Sequence, residues 1–216
     1  MDICGCDGFA EEFDRATAEG DLERFRQSGP DPTTRMLLEK LEASRAAGAT
    51  VLDIGGGIGV VAQELLRAGA GHAVLVDASP ASLAVARQAA RDSNLLDRLQ
   101  LVEGDFVRHA GAIDRADIVT LDRVVCCYRH VDALVGLASA RAGRLLGLVL
   151  PRDRWLVRTA IRFMNVGFRL RRRAYRAYAH SNAHIDRLAA SNGLQPRSES
   201  GTFFWRVVVY ERRAAS

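Results

Sequence analysis

Val51-Leu52-Asp53-Ile54-Gly55-Gly56-Gly57-Ile58-Gly59 reads as a short apolar strand carrying an acid, then three consecutive glycines, then a fourth glycine that opens a helix. Glycine reaches φ > 0 without a Cβ penalty, so such a loop can lay its backbone against a ligand. The N–H groups that begin the next helix then face that ligand.

Downstream, strands and helices alternate. Thr50–Ile54 is a continuous apolar strand, and 59–68 is a helix stopped at Gly69. Ala73–Val76 is a second strand ending at Asp77. Ser79-Pro80 starts the next helix, with the serine as N-cap and the proline in the first turn. Leu99–Val102 and Asp117–Leu121 are the third and fourth strands, Val131–Ala140 is helical, and Arg144–Val149 is the fifth strand. Near-continuous apolar strands separated by helices predict a parallel sheet covered on both faces. This core runs from 49 to 150. Before it, residues 9–48 predict a helical cap broken at Gly29-Pro30-Asp31-Pro32, with Thr33 or Thr34 capping its last helix. After it, 152–178 predicts one long helix. Its apolar side would be Leu156, Ala160, Phe163, Met164, Gly167 and Phe168, facing an Arg side at 158, 162, 169 and 176. A helix capped by Ser181 and a hairpin around Gly201 complete 181–211 in what is expected to be one domain.

Composition narrows the class. The chain has 216 residues and a net charge of +4; Lys40 is its only lysine, so its cations are nearly all Arg. No apolar run is long enough to span a bilayer, and no N-terminal signal is evident, so a cytoplasmic protein is expected. Cys4, Cys6, Cys126 and Cys127 do not form a disulfide framework at this chain length. If both pairs met over a site, their thiolates would suit a soft metal or metalloid. The bland alternative is two pocket-lining residues and a loose terminus, and no metal ligand is assigned.

The acid precedes the glycines here, in the order Asp53-x-Gly55-x-Gly57-x-Gly59, with Gly56 between. In this pattern the chain resembles the class I S-adenosylmethionine (SAM) methyltransferases, and SAM with its product S-adenosylhomocysteine is the cofactor implied. The resemblance implies a Rossmann-like seven-stranded α/β sheet, mostly parallel with an antiparallel last strand. It also implies roles for acids at the strand ends. Asp77, followed by Ala78, would accept the ribose hydroxyls. Asp105 would contact the adenine amino group, with Phe106 beside the ring. Asp122 would meet the methionine part. Within the superfamily the chain looks most like the small-molecule group that includes magnesium-protoporphyrin and quinone-biosynthesis O-methyltransferases. Tyr128 matches the porphyrin enzymes' His-Tyr pair, but Cys127 stands where their His would be, so Tyr128 and His130 are the candidates for moving a proton.

These features predict methyl transfer to a small, largely apolar acceptor, at oxygen in preference to carbon or nitrogen. A metalloid-directed enzyme and a non-catalytic SAM binder are the alternatives. The Asn/Asp-Pro-Pro-Tyr and Pro-Cys signatures of nucleic-acid methyltransferases are absent, and no nucleic-acid partner is expected. Two readings of 152–178 stay open: a lid over the acceptor, or peripheral contact with an acidic membrane surface.

Overall fold

The computed structural model describes residues 13–41 and 46–213. Cys4 and Cys6 lie outside them. Seven strands form one sheet: β1 Thr50–Ile54, β2 His72–Asp77, β3 Leu99–Glu103, β4 Ala116–Asp122, β5 Ala142–Pro151, β6 Leu194–Gly201 and β7 Trp205–Arg212. Their order is β3-β2-β1-β4-β5-β7-β6. The first five are parallel, and β7 inserts antiparallel between β5 and β6. The expected sheet, including its antiparallel last strand, is the one observed. The chain order leaves β1 and β4 adjacent with their crossovers on opposite sides. A crevice therefore opens at their carboxyl ends, where ligands of open α/β sheets bind.

Alternation along each strand loads both faces. On one face Leu52, Val119, Leu146 and Tyr210 pack under α6 (Val131–Arg141) and α8 (Asn182–Ser191). On the other face Val51, Leu75, Ile118 and Val209 pack under α2 (Pro32–Leu41), α3 (Val60–Arg67) and α4 (Pro80–Asp92). Ser79 caps α4 by accepting from the Ser82 N–H, and Ser181 caps α8 by accepting from His184, both as the sequence predicts.

The cap is held to this core by specific burial. α1 (Arg15–Ser28) turns at Gly29, whose N–H reaches the Phe25 carbonyl at 2.8 Å. Proline occupies the first position of α2, so Thr33 and Thr34 lie inside the helix and are buried, instead of capping it. Leu37 and Leu41 of α2 are fully buried on β5. A Cβ at Gly147 would come within 2.7 Å of Leu37 Cδ1, so the glycine is what lets α2 sit down on the strand.

The region after β5 departs from expectation. α7 (Trp155–Leu170) ends well before 178, and the chain reverses at Arg172 (φ 56°). Asn165 then grips the returning segment, donating to the Ala177 carbonyl at 2.7 Å and accepting the Ala177 N–H at 2.9 Å. Periodicity does not reveal this reversal because 171–178 keeps helix-compatible residues throughout. α7 also packs on a different face from the predicted one. Val157 and Ile161 are buried with Tyr175 and Ala177, while Leu156, Ala160, Phe163 and Met164 face solvent. α5 is the short helix Phe106–His109.

Candidate active site

A cavity of about 790 Å³ lies over the carboxyl ends of β1, β2, β3 and β4. Its floor is the glycine loop. Gly55, Gly56 and Gly57 line it, whereas Asp53 and Gly59 do not. Both still build it. Gly59 is the left-handed N-cap of α3 (φ 77°). Asp53 is fully buried behind the loop, accepting from Thr120 Oγ1 at 2.8 Å and the Ala62 N–H at 3.3 Å. Burial pushes its carboxyl up to about 7, with Thr120 opposing. A Cβ on Gly56 would lie 2.3 Å from Asp53 Oδ2, so acid and glycine are matched in shape. The acid that distinguishes the sequence pattern is thus a brace for the loop and does not touch the cavity.

The strand-end acids do face the cavity. Asp77 accepts the Gly57 N–H and the Ser79 N–H, each at 2.8 Å, which ties loop to strand and fixes the carboxylate. Burial raises its pKa against those two hydrogen bonds. A carboxylate has about four lone-pair sites, so capacity remains for hydroxyl donors from a ligand. Ala78, Asp105 and Phe106 line the same wall. Asp105 caps α5 through the Val107 N–H at 3.1 Å. It also accepts from the Tyr128 hydroxyl at 3.0 and 3.1 Å. Tyr128 therefore lines the cavity, but its hydroxyl is engaged by Asp105 and orients that acid. His180 Nε2 lies 2.8 Å from the Tyr128 carbonyl, which fixes the backbone there. Burial lowers the His180 pKa, opposed by that hydrogen bond.

His130 is displaced from its expected role. It is exposed at the N-terminus of α6 and is not part of the cavity wall. The chain is extended at Tyr128 (φ −111°, ψ 122°) after the turn Val125–Cys127; Tyr128 is buried, while Arg129 and His130 just after it are exposed.

The far wall comes from the cap and the segment after β4. Asp122 Oδ2 accepts from Thr34 Oγ1 at 2.5 Å. Its other oxygen, Oδ1, is buried without a hydrogen bond, with Arg123 Nε 3.3 Å away. Burial raises the Asp122 pKa, opposed by Arg123. Arg123 adopts φ 62°, a left-handed backbone that is costly for a residue with a side chain. That conformation aims its guanidinium across the cavity to Asp31 in the α1–α2 turn, 2.6 Å away. Thr34, Asp31 and Arg123 were absent from the sequence-derived set. Only the adjacency of Arg123 to Asp122 hinted at a role.

Cys126 and Cys127 both line the cavity, with Sγ atoms 3.7 Å apart. Cys127 Sγ also lies 2.9 Å from the Tyr175 hydroxyl. The hydrogen bond between the thiols raises the pKa of Cys126 and lowers that of Cys127. Among the described residues no group of three or more His, Cys, Asp or Glu is placed to hold a metal ion.

Known proteins show the same architecture. A family model described as a methyltransferase domain matches residues 51–143. Magnesium protoporphyrin IX methyltransferase from Synechocystis PCC 6803, solved with bound S-adenosylhomocysteine, superposes with TM-score 0.70 at 21% identity, over 91% of this chain and 96% of that one. An O-methyltransferase family protein from Burkholderia thailandensis gives 0.73 at 18% identity, over 98% and 64%. Among curated sequences, the ribosomal protein L11 methyltransferase of Photorhabdus laumondii is 30% identical over 121 residues, 56% of this chain. The match spans only 40% of that relative's length. Residues 51–143 thus match a methyltransferase domain, and the sheet order around them is the fold that these methyltransferases share.

Proposed function

We propose that the chain transfers the methyl group of SAM to an oxygen of a small, largely apolar acceptor. The observation that carries this reading is the split wall of the cavity. Its sheet side offers the glycine backbone, Asp77 and Asp105, groups suited to ribose and adenine. Its cap side offers Phe13, Phe25, Val124, Cys127 and Tyr175 together with Arg24, Arg35 and Arg123. In this reading Asp77 accepts the ribose hydroxyls, Asp105 meets the adenine amino group beside Phe106, and Asp122 receives the methionine ammonium on Oδ1, the oxygen beside Arg123. The sulfonium supplies an activated methyl, so the protein's task is alignment of acceptor, methyl and sulfur.

Among the described residues no imidazole lines the cavity. An acceptor oxygen that arrives ionised, such as a carboxylate beside Arg123, needs no base from the protein. Tyr128 then serves as a positioning residue through Asp105, and His130 has no part.

Turnover of labelled SAM against a panel of aromatic carboxylates, phenols, quinones, porphyrins and arsenite tests the reading. Methyl ester or ether products are expected. Label appearing only on amines, on protein or on arsenic would overturn it. The arsenite arm tests Cys126 and Cys127 as a metalloid site. Calorimetry with S-adenosylhomocysteine separates failure to bind cofactor from failure to find the acceptor.

A further inference from the structure

α7 presents a face that nothing in the fold covers. Trp155, Phe163, Val166 and Leu170 are 73%, 72%, 54% and 80% exposed, and Leu156 and Met164 are over 40% exposed. An isolated exposed apolar residue is ordinary, but six on one short helix form a contiguous patch of the kind that marks an interaction site. The helix is held by its other side through Val157 and Ile161, so the patch is a fixed platform. Phe203, from the β6–β7 hairpin, extends it beyond the helix start and lies under the Arg154 guanidinium at 5.8 Å. α7 contributes no residue to the wall of the cavity; of the 152–178 segment read as a lid or a membrane-surface helix, only Tyr175 does.

Charge identifies the occupant. Residues 152–176 hold nine Arg and one acid, Asp153. On the helix, Arg158, Arg162 and Arg169 fall within about 40° of one another at 100° per residue, beside Trp155 and Val166. All three are exposed, and none of them makes an ion pair with a described residue. Among the described residues no helix is long and apolar enough to cross a membrane. An apolar face flanked by unpaired arginines is the arrangement of a helix lying in the headgroup layer of an acidic bilayer.

We propose that α7, with Phe203, docks the protein on an anionic lipid surface. Trp155, Phe163 and Leu170 enter the acyl boundary while Arg158, Arg162 and Arg169 meet lipid phosphates. Tyr175, which lines the cavity, packs against Phe168 of α7 with ring centroids 5.4 Å apart. Docking therefore sets the acceptor side of the cavity beside the membrane.

The full-length protein is mixed with vesicles of phosphatidylcholine, alone or with phosphatidylglycerol, and pelleted. Binding is expected only to the mixed vesicles, weakened by salt, with a blue shift of Trp155 emission that a Trp155→Phe variant lacks. Phe163→Glu with Leu170→Glu should abolish pelleting, and a triple Arg158→Gln, Arg162→Gln, Arg169→Gln variant should lower the partition about a hundredfold. These residues are exposed, and unchanged S-adenosylhomocysteine affinity verifies that each variant is folded. No pelleting by the parent protein, or equal pelleting by the Phe163/Leu170 variant, overturns the proposal. So does a dimer, seen by sedimentation velocity without vesicles, that the same variant dissolves, because a second copy would then be what covers α7.

Discussion

The two walls of the cavity are built by different means. The sheet wall draws on residues 55–57, 77–78 and 105–106, each at a strand end in an unbroken β-α-β run. Its parts are mostly backbone and carboxylates that hydrogen-bond backbone, as Asp77 does to Gly57 and Ser79. The cap wall joins groups far apart in sequence. Thr34 reaches Asp122 across 88 residues, and Asp31 reaches Arg123 across 92. One wall is specified by local rules repeated at each strand; the other depends on where α2 lands. The same division suits an invariant cofactor on one side and a variable acceptor on the other.

Substitutions at the sheet wall should have the largest effects. Gly56→Ala forces a Cβ to 2.3 Å from Asp53 Oδ2 and 2.4 Å from Leu75 Cδ1. A loss of about 3 kcal/mol in chemical denaturation is expected, with S-adenosylhomocysteine binding lost as well; wild-type affinity would show that the loop is not the cofactor floor. Asp77→Ala removes the acceptor for the Gly57 and Ser79 N–H groups. Calorimetry should show at least a hundredfold weaker binding, about 2.7 kcal/mol, with a smaller change in stability.

Asp53 gives a pH signature. Its folded pKa is raised to about 7, above the unfolded value near 4. The native state therefore holds a proton that the unfolded state has released across that window. Its contribution to stability is fully present below pH ~4 and is lost as pH rises through ~7. The unfolding free energy from urea titrations should fall across this range by an amount on the order of 4 kcal/mol, and Asp53→Asn should flatten the curve. An unchanged slope in the variant would place the titration elsewhere, with Asp77 and Asp122 next to be tested.

The cap wall should respond in function more than in stability. Arg123 and Asp31 are 40% and 54% exposed, so their pairing contributes about 1 kcal/mol or less. Arg123→Ala should leave the melting temperature nearly unchanged and raise the KM for acceptor while cofactor affinity holds. Equal losses in both would make Arg123 part of the cofactor wall. His130→Ala is the smallest case: kcat and KM should match the parent, because the ring lies outside the cavity. A tenfold loss of kcat would restore His130 as a base.

How far the sequence could be read follows the same boundary. The strand positions, the Ser79 and Ser181 caps and the acids at 77 and 105 were legible because alternation and capping are local. The role of Asp53 was legible only as a type: an acid before glycines. Its burial against Gly56 and Thr120 turned an expected ligand contact into a brace. α7 shows the opposite failure. Its amphipathic pattern was real, but with apolar residues around most of the helix, periodicity could not say which stripe faced inward.

By itself the sequence determined the α/β alternation, the glycine loop and the strand-end acids that point to SAM. Each of these rests on contacts among near neighbours or on the two-residue period of a strand. Tertiary structure alone decided that Arg123 spans to Asp31, that Tyr128 orients Asp105, that His130 faces outward, and that Val157 and Ile161 anchor α7 while Phe163 and Leu170 stay exposed. Those outcomes depend on where cap and reversal pack against a finished sheet. Such long-range packing leaves no periodic trace in the residues that carry it.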